Sequence, residues 1–218
     1  MHTKFYRLAL YFGAVAIVIL GSETARGQRV SLLEAEKKLA SLGYWVTRAD
    51  GRADASTRHS ITAFQKVEGL KRTGVLNPTV MKALRSADKP EPKYTNVPAH
   101  VEVDIKRQVL FFVDDAGVVT HVLPVSTGND KKFFDKGEWN LAVTPRGAFD
   151  IYSKINGVRK SSLGEMYYPS YFVGGVAMHG SNSIPPNPAS HGCVRVPRFA
   201  ERALFRMTPI GMKVFVYD

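Results

Sequence analysis

The sequence predicts an α+β protein, with a small three-helix unit first and a mainly-β, sandwich-like part with a few helices after it. Three observations carry this. Between about residues 28 and 87 the apolar residues recur at helical spacing. From His100 onward the apolar period falls to two, with turn residues between the runs. Between these stretches, residues 88–98 hold Pro90, Pro92 and Pro98 among charged residues, the composition of a stiff, extended linker.

The first helix opens on Ser31-Leu32-Leu33-Glu34, a capping box with hydroxyl and carboxylate three apart. Leu32, Ala35, Leu39 and Leu42 make its buried side, and Gly43 ends it. The second helix starts near Ser56, places Ile61, Phe64 and Val67 on one face and stops at Gly69. Asn77-Pro78 is an N-cap followed by proline at the first helical position, and Val80 and Leu84 give the third helix its apolar side. In the β part, Val101, Val103 and Ile105 alternate with polar residues, and Val109, Phe111 and Val113 are read in the same way. Asp114-Asp115-Ala116-Gly117 turns the chain into a strand over residues 118–126. Residues 131–139 have no clear period and read as an irregular loop. Thr144-Pro145-Arg146-Gly147 feeds a strand over 148–153, and residues 167–178 read as strand and loop leading to His179. Pro197 opens a helix with Phe199, Ala200, Ala203, Leu204 and Met207 inward, and residues 212–217 form the last strand.

Ahead of the helices, residues 1–27 have a basic start (Lys4, Arg7), a thirteen-residue apolar run from Leu8 to Leu20, and then small residues. This is the pattern of a secretory signal peptide, with an uncleaved N-terminal anchor as the alternative. Either places the remainder outside the cytoplasm, so the protein is expected to be exported. The net charge of +11 favours an anionic environment, and residues 28–87 carry eleven basic against five acidic residues. No nucleic-acid motif is present, so nucleic acid is not an expected partner. Membrane contact is expected only if the N-terminal segment stays uncleaved.

The chemistry concentrates in Ser190-His191-Gly192-Cys193-Val194-Arg195, with His179-Gly180 upstream. Cys193 is the single cysteine, which excludes an intramolecular disulfide. A thiol needs a nearby base to act as a nucleophile, and His179 and His191 are candidates. Residue chemistry alone leaves two alternatives open: Cys193 as a small buried hydrophobe, and a zinc site made of His179, His191 and Cys193. His191, Cys193 and Arg195 fall on one face of an extended stretch. Arg195 suits a substrate carboxylate, and Gly192 lets the backbone approach closely, freeing amides for an oxyanion. Histidine neighbours lead to the expectation that Cys193 reacts near neutral pH.

This stretch closely resembles the signature of the L,D-transpeptidases, the YkuD-type catalytic domain. Pro124-Val125-Ser126-Thr127-Gly128 and Thr144-Pro145-Arg146-Gly147 resemble recurrent elements of the same family, over about residues 99–218. Residues 28–87 resemble the three-helix peptidoglycan-binding domain through Leu42-Gly43-Tyr44, Asp50-Gly51, Thr57, Ala63-Phe64-Gln65, Gly69-Leu70 and Gly74-Val75. The resemblance implies Cys193 as nucleophile and His179 as base, with Gly192 and His191 in the catalytic set. A thioester acyl-enzyme would form on a stem peptide with release of D-alanine, giving 3→3 cross-links, or L,D-carboxypeptidase activity if water accepts. A non-catalytic wall-binding protein is the other alternative. Ser190 and Arg195 are candidate substrate-binding residues, as are Tyr168 and Phe172, for which core packing is the alternative. The implied partners are peptidoglycan stem peptides and glycan, with carbapenem acylation and no metal or cofactor, and the implied location is the bacterial cell envelope, as periplasm or cell wall.

Overall fold

Residues 27–28 and 31–218 are described by the structure, a computed structural model. The leader read in residues 1–27 lies outside the described residues, apart from Gly27. Among the described residues, no helix is long and apolar enough to cross a membrane.

Helix α1 runs to residue 41. Helix α2 (Ala55–Val67) is capped by Asp54, whose side chain accepts from the Thr57 N–H, and α3 (Pro78–Ser86) by Asn77, which accepts from the Val80 N–H. The polar signature residues of this unit are structural. The buried Glu36 carboxylate accepts from the Gly51 N–H at 2.7 Å and the Thr57 hydroxyl at 2.8 Å. Gln65 accepts from the Gly74 N–H at 2.8 Å, where the backbone is left-handed. Phe64 is fully buried and meets Tyr44 edge-on.

The β part is two five-stranded sheets and a separate hairpin. The first sheet has the order β3 (Val119–Pro124), β2 (Val109–Val113), β1 (His100–Asp104), β12 (Lys213–Tyr217), β6 (Gly147–Asp150), with β1 and β12 parallel. The second has the order β11 (Val194–Pro197), β10 (Val176–Ser181), β9 (Gly164–Val173), β7 (Ser153–Lys154), with β8 (Val158–Ser161) also paired to β9; β10 and β11 are parallel. Between the sheets lies a core that takes Val101, Val103, Leu110 and Phe112 from the first and Met178, Val194 and Val196 from the second. Helix α4 (Glu201–Met207) contributes Leu204 to it.

The other face of the first sheet explains a departure from the sequence reading. Val109, Phe111 and Val113 do not alternate with polar residues: β2 is the run Val-Leu-Phe-Phe-Val, buried throughout. Its second face, with Val119 and Val122 of β3, packs into one cluster with Leu39, Tyr44, Ile61, Phe64 and Leu84 of the helical unit. A strand covered on both faces reads as a continuous apolar run. Lys66 of α2 enters this junction fully buried, donating to the carbonyls of Gln108 and Val125 at 2.9 Å each. The stretch after α1 also covers the sheet edge, with Val122 N–H bonded to Gly43 O and Trp45 N–H to Val122 O.

Residues 88–98, expected as an extended linker, form a strap held to the sheet. The buried Glu102 carboxylate accepts from the N–H groups of Lys93 and Tyr94 and from the Tyr217 hydroxyl, and contacts His100 at 3.2 Å. Tyr94 stacks on Phe215. Residues 131–139, expected as an irregular loop, contain instead the hairpin β4 (Lys132–Asp135) and β5 (Glu138–Leu141). The turn Lys136-Gly137 has positive φ at both positions, the geometry that suits a two-residue hairpin. Adjacent Phe133 and Phe134 hide its alternation from a sequence reading.

Candidate active site

Strands β10 and β11 build the site. Their register sets Met178 against Val194 and His179 against Arg195. Side chains alternate along a strand, so Val194 and Val196 enter the core while Cys193 and Arg195 take the outer face, together with His179. These residues face a cavity of about 950 Å³, which runs from the β4–β5 hairpin to the β8–β9 hairpin.

His179 is buried, and its Nδ1 lies 2.8 Å from the carbonyl of Gly180. A carbonyl only accepts, so Nδ1 carries the proton and Nε2 is left bare in the neutral ring. Burial lowers the His179 pKa to about 4; Arg195 adds to this and the Gly180 bond opposes it. Burial pushes the Cys193 thiol up, against the Ala177 N–H and Arg195, which pull it down. Both shifts favour a resting pair of neutral thiol and neutral imidazole, in which the ring nitrogen is free to take the thiol proton as the sulfur attacks.

The loop before Cys193 is held by its own polar groups. Ser190 Oγ donates to Cys193 O at 2.6 Å and accepts from the Gly192 N–H at 3.0 Å. Thr144 Oγ1 donates to Gly192 O at 2.6 Å and accepts from the Gly128 N–H at 2.9 Å. Gly128 admits no side chain, since a Cβ there would meet Ala142 O at 2.2 Å. The Ser126-Thr127-Gly128 and Thr144-Pro145-Arg146-Gly147 elements thus clamp the cysteine loop. Replacing Thr144 with valine leaves two buried backbone groups unpaired, at about 1–3 kcal/mol each. A Thr144→Val protein is expected to melt on the order of 5–10 °C lower and to acylate Cys193 at least ~10-fold more slowly. Calorimetry and adduct mass spectrometry check both; an unchanged acylation rate would contradict the clamp.

Several residues predicted for the site sit elsewhere or act differently. The Gly192 N–H is taken by Ser190, so it does not face a substrate oxygen; the Cys193 N–H has no protein partner among the described residues. Ser190 is buried, and its hydroxyl is occupied within the loop. His191 is exposed and packs on Phe133 with ring centroids 4.6 Å apart, at the cavity rim. Phe172 belongs to the core between the sheets, against Phe149. Tyr168 lies behind the sheet, against Phe205 of α4 and under Arg202. Both miss the cavity because of parity along β9: Tyr171 pairs with Ala177 on the cavity face, so Phe172 points inward. Tyr167 shares the parity of Tyr171 and reaches the cavity; beyond a second register shift in β10 and the positive φ at Tyr168, Met166 reaches it as well.

Sequence reading missed Tyr171. Its hydroxyl is buried with no hydrogen-bond partner among the described residues, and Cys193 is close enough to act on its ionisation. Regular pairing back from the Gly174-Gly175 turn would set Ala177 against Phe172; the register shift between Val176 and Ala177 brings Tyr171 there instead, and no local signal announces it.

Comparison with known proteins agrees with this architecture. Residues 98–216 match the family model of the L,D-transpeptidase catalytic domain, YkuD, and residues 28–84 match that of a peptidoglycan binding domain. The crystal structure of an L,D-transpeptidase from Xylanimonas cellulosilytica is 40% identical, covers 85% of this chain and 92% of its own, and superposes with a TM-score of 0.81. A second L,D-transpeptidase structure, from Stackebrandtia nassauensis, is 26% identical, covers 86% of this chain and 90% of its own, and has a TM-score of 0.49. No curated protein matches.

Proposed function

Because the chain belongs to the L,D-transpeptidase family, with a peptidoglycan-binding domain ahead of the catalytic one, we propose that it forms 3→3 cross-links between peptidoglycan stem peptides in the cell envelope through a Cys193 thioester. The observation that carries this is that Cys193 and His179 line one cavity, with His179 Nδ1 fixed by Gly180 O and Nε2 left to accept a proton.

In the first half-reaction Cys193 Sγ attacks the carbonyl carbon of the third stem residue while its proton passes to His179 Nε2. The Cys193 N–H and the Tyr171 hydroxyl, both without protein partners among the described residues, are donors available to the oxyanion. The C–N bond to D-alanine breaks, and His179 gives its proton to the departing amine. The side-chain amine of a second stem then attacks the thioester; His179 removes its proton and returns it to the thiolate. Arg195, directly opposite His179, offers a guanidinium to a stem carboxylate. His191 shapes the rim with Phe133. Export precedes this work, with residues 1–27 as the signal.

Incubation with disaccharide tetrapeptides is expected to yield cross-linked dimers and free D-alanine by mass spectrometry. Tripeptides without dimers would assign L,D-carboxypeptidase activity instead, and no product with no carbapenem adduct on Cys193 would leave a wall-binding protein.

The pH dependence follows from the neutral pair. Neutral His179 is the competent base, and its pKa is lowered to about 4. The competent fraction is therefore lost as pH falls through about 4, not through the ordinary imidazole range near 6.5. Carbapenem acylation rates at Cys193 should hold from pH 8 down to about 5 and then drop. An acid limb centred near 6.5 would contradict this.

A further inference from the structure

A second groove opens where the helical unit meets the catalytic sheet. It has a volume of about 690 Å³, within the range of about 300–1,000 Å³ usual for small-molecule sites. Ala55 and His59 of α2 form one wall, and Arg198 and Phe199 the facing one. The floor comes from the segment after β10, where Ser181, Asn182 and Ser183 line both this groove and the Cys193 cavity. These three residues form a wall common to the two spaces.

Its walls combine ring faces with polar groups unpaired among the described residues. His59 and Phe199 lie with ring centroids 6.0 Å apart at an interplanar angle of 39°, giving flat surfaces for the C–H face of a pyranose. Both His59 ring nitrogens lack a protein partner among the described residues, and Asn182 is exposed. Asn182 accepts from Arg198 at 3.2 Å through its oxygen, so its amide N–H groups are left to donate. Arg198 is fixed by Glu201 at 2.6 Å and stacks on the Tyr167 ring at 3.3 Å, which ties this wall to the rim of the catalytic cavity. The opposite wall is equally fixed, because α2 is anchored to the sheet by the buried Lys66 and the apolar cluster around Phe64 and Phe111. Arg72 of the helical unit also donates to Pro186 O, in the segment that leads from the groove to the cysteine loop.

We propose that this groove binds an N-acetylated hexosamine of the glycan strand whose stem peptide occupies the Cys193 cavity. The helical unit then supplies half of an extended substrate site rather than a remote anchor. The choice of polymer rests on the transpeptidase reading; the binding test does not require turnover.

The test uses the isotope-labelled full chain titrated with peptide-free glycan strands of alternating N-acetylhexosamines, followed by NMR. Saturable shifts are expected at His59, Ser183 and Phe199. Ala55 is exposed, so Ala55→Trp fills the groove without disturbing the core. It should weaken glycan binding at least tenfold while leaving the melting temperature and carbapenem acylation of Cys193 unchanged; His59→Ala should weaken binding about fivefold. Shifts confined to other surfaces, no saturable binding, or wild-type affinity in Ala55→Trp would each overturn the proposal. Groove shifts without stem-peptide turnover would leave the groove standing and remove the enzymatic reading, whereas turnover without groove shifts would do the reverse.

Discussion

Cys193→Ala should abolish both the carbapenem adduct and dimer formation, with a loss on the order of a million-fold in turnover if Cys193 is the nucleophile. The size of the effect follows from covalent catalysis. Without the sulfur no thioester forms, and water reaching the same carbonyl would bypass the acyl step that retains the donor. The fold should not suffer. Cys193 is only partly buried, and its side chain makes only weak contacts with the backbone, a 3.9 Å approach to Gly175 O and the Ala177 N–H. The loop around it is held by Ser190 and Thr144, which remain. An unchanged melting curve together with total loss of adduct and product is therefore the expected pair of results. Residual cross-linking at wild-type rates would remove Cys193 from the mechanism.

Removing residues 1–87 should be as damaging, for a different reason. In the usual picture of a wall-binding module on a linker, the catalytic part would survive alone. Here the cut uncovers Val109, Phe111, Val113, Val119 and Val122, each at most 1% exposed in the whole chain. Burying one such side chain contributes about 1.5–3 kcal/mol, so uncovering five removes on the order of 10 kcal/mol, comparable with the entire folding free energy of a domain. The cut also strips the Gln108 and Val125 carbonyls of the Lys66 ammonium and exposes the β3 edge that Gly43 and Trp45 cover. The 88–218 fragment is expected to aggregate or to lack a cooperative melt, and to give no Cys193 adduct. A soluble fragment with wild-type acylation would show that the two parts are independent after all.

Lys66 illustrates what the sequence conceals. Its position in Phe64-Gln65-Lys66-Val67 gives no hint of burial, since lysine is almost always exposed. The structure buries it among apolar side chains, where burial, with Arg72 nearby, lowers its pKa to about 7. The apolar run of β2 was legible and pointed to a strand with two covered faces, but an alternating reading passed over Leu110 and Phe112. Tyr168 and Phe172 were misplaced by a single step of parity, because two register shifts and one left-handed residue lie between the signal and the cavity.

The sequence by itself determined the helix caps at Asn77 and Gly69, the period change near His100, and the cysteine motif with His179 upstream. These are local signals, written within a few residues by hydrogen-bonding and side-chain alternation. Only the tertiary structure decided that Gly180 O orients His179, that Ser190 takes the Gly192 N–H, and that Tyr171 rather than Phe172 faces Cys193. It also decided that the helical unit shares a core with the sheet. Each of these depends on strand register or on groups far apart in sequence, and burial, not local propensity, selects among the possible pairings.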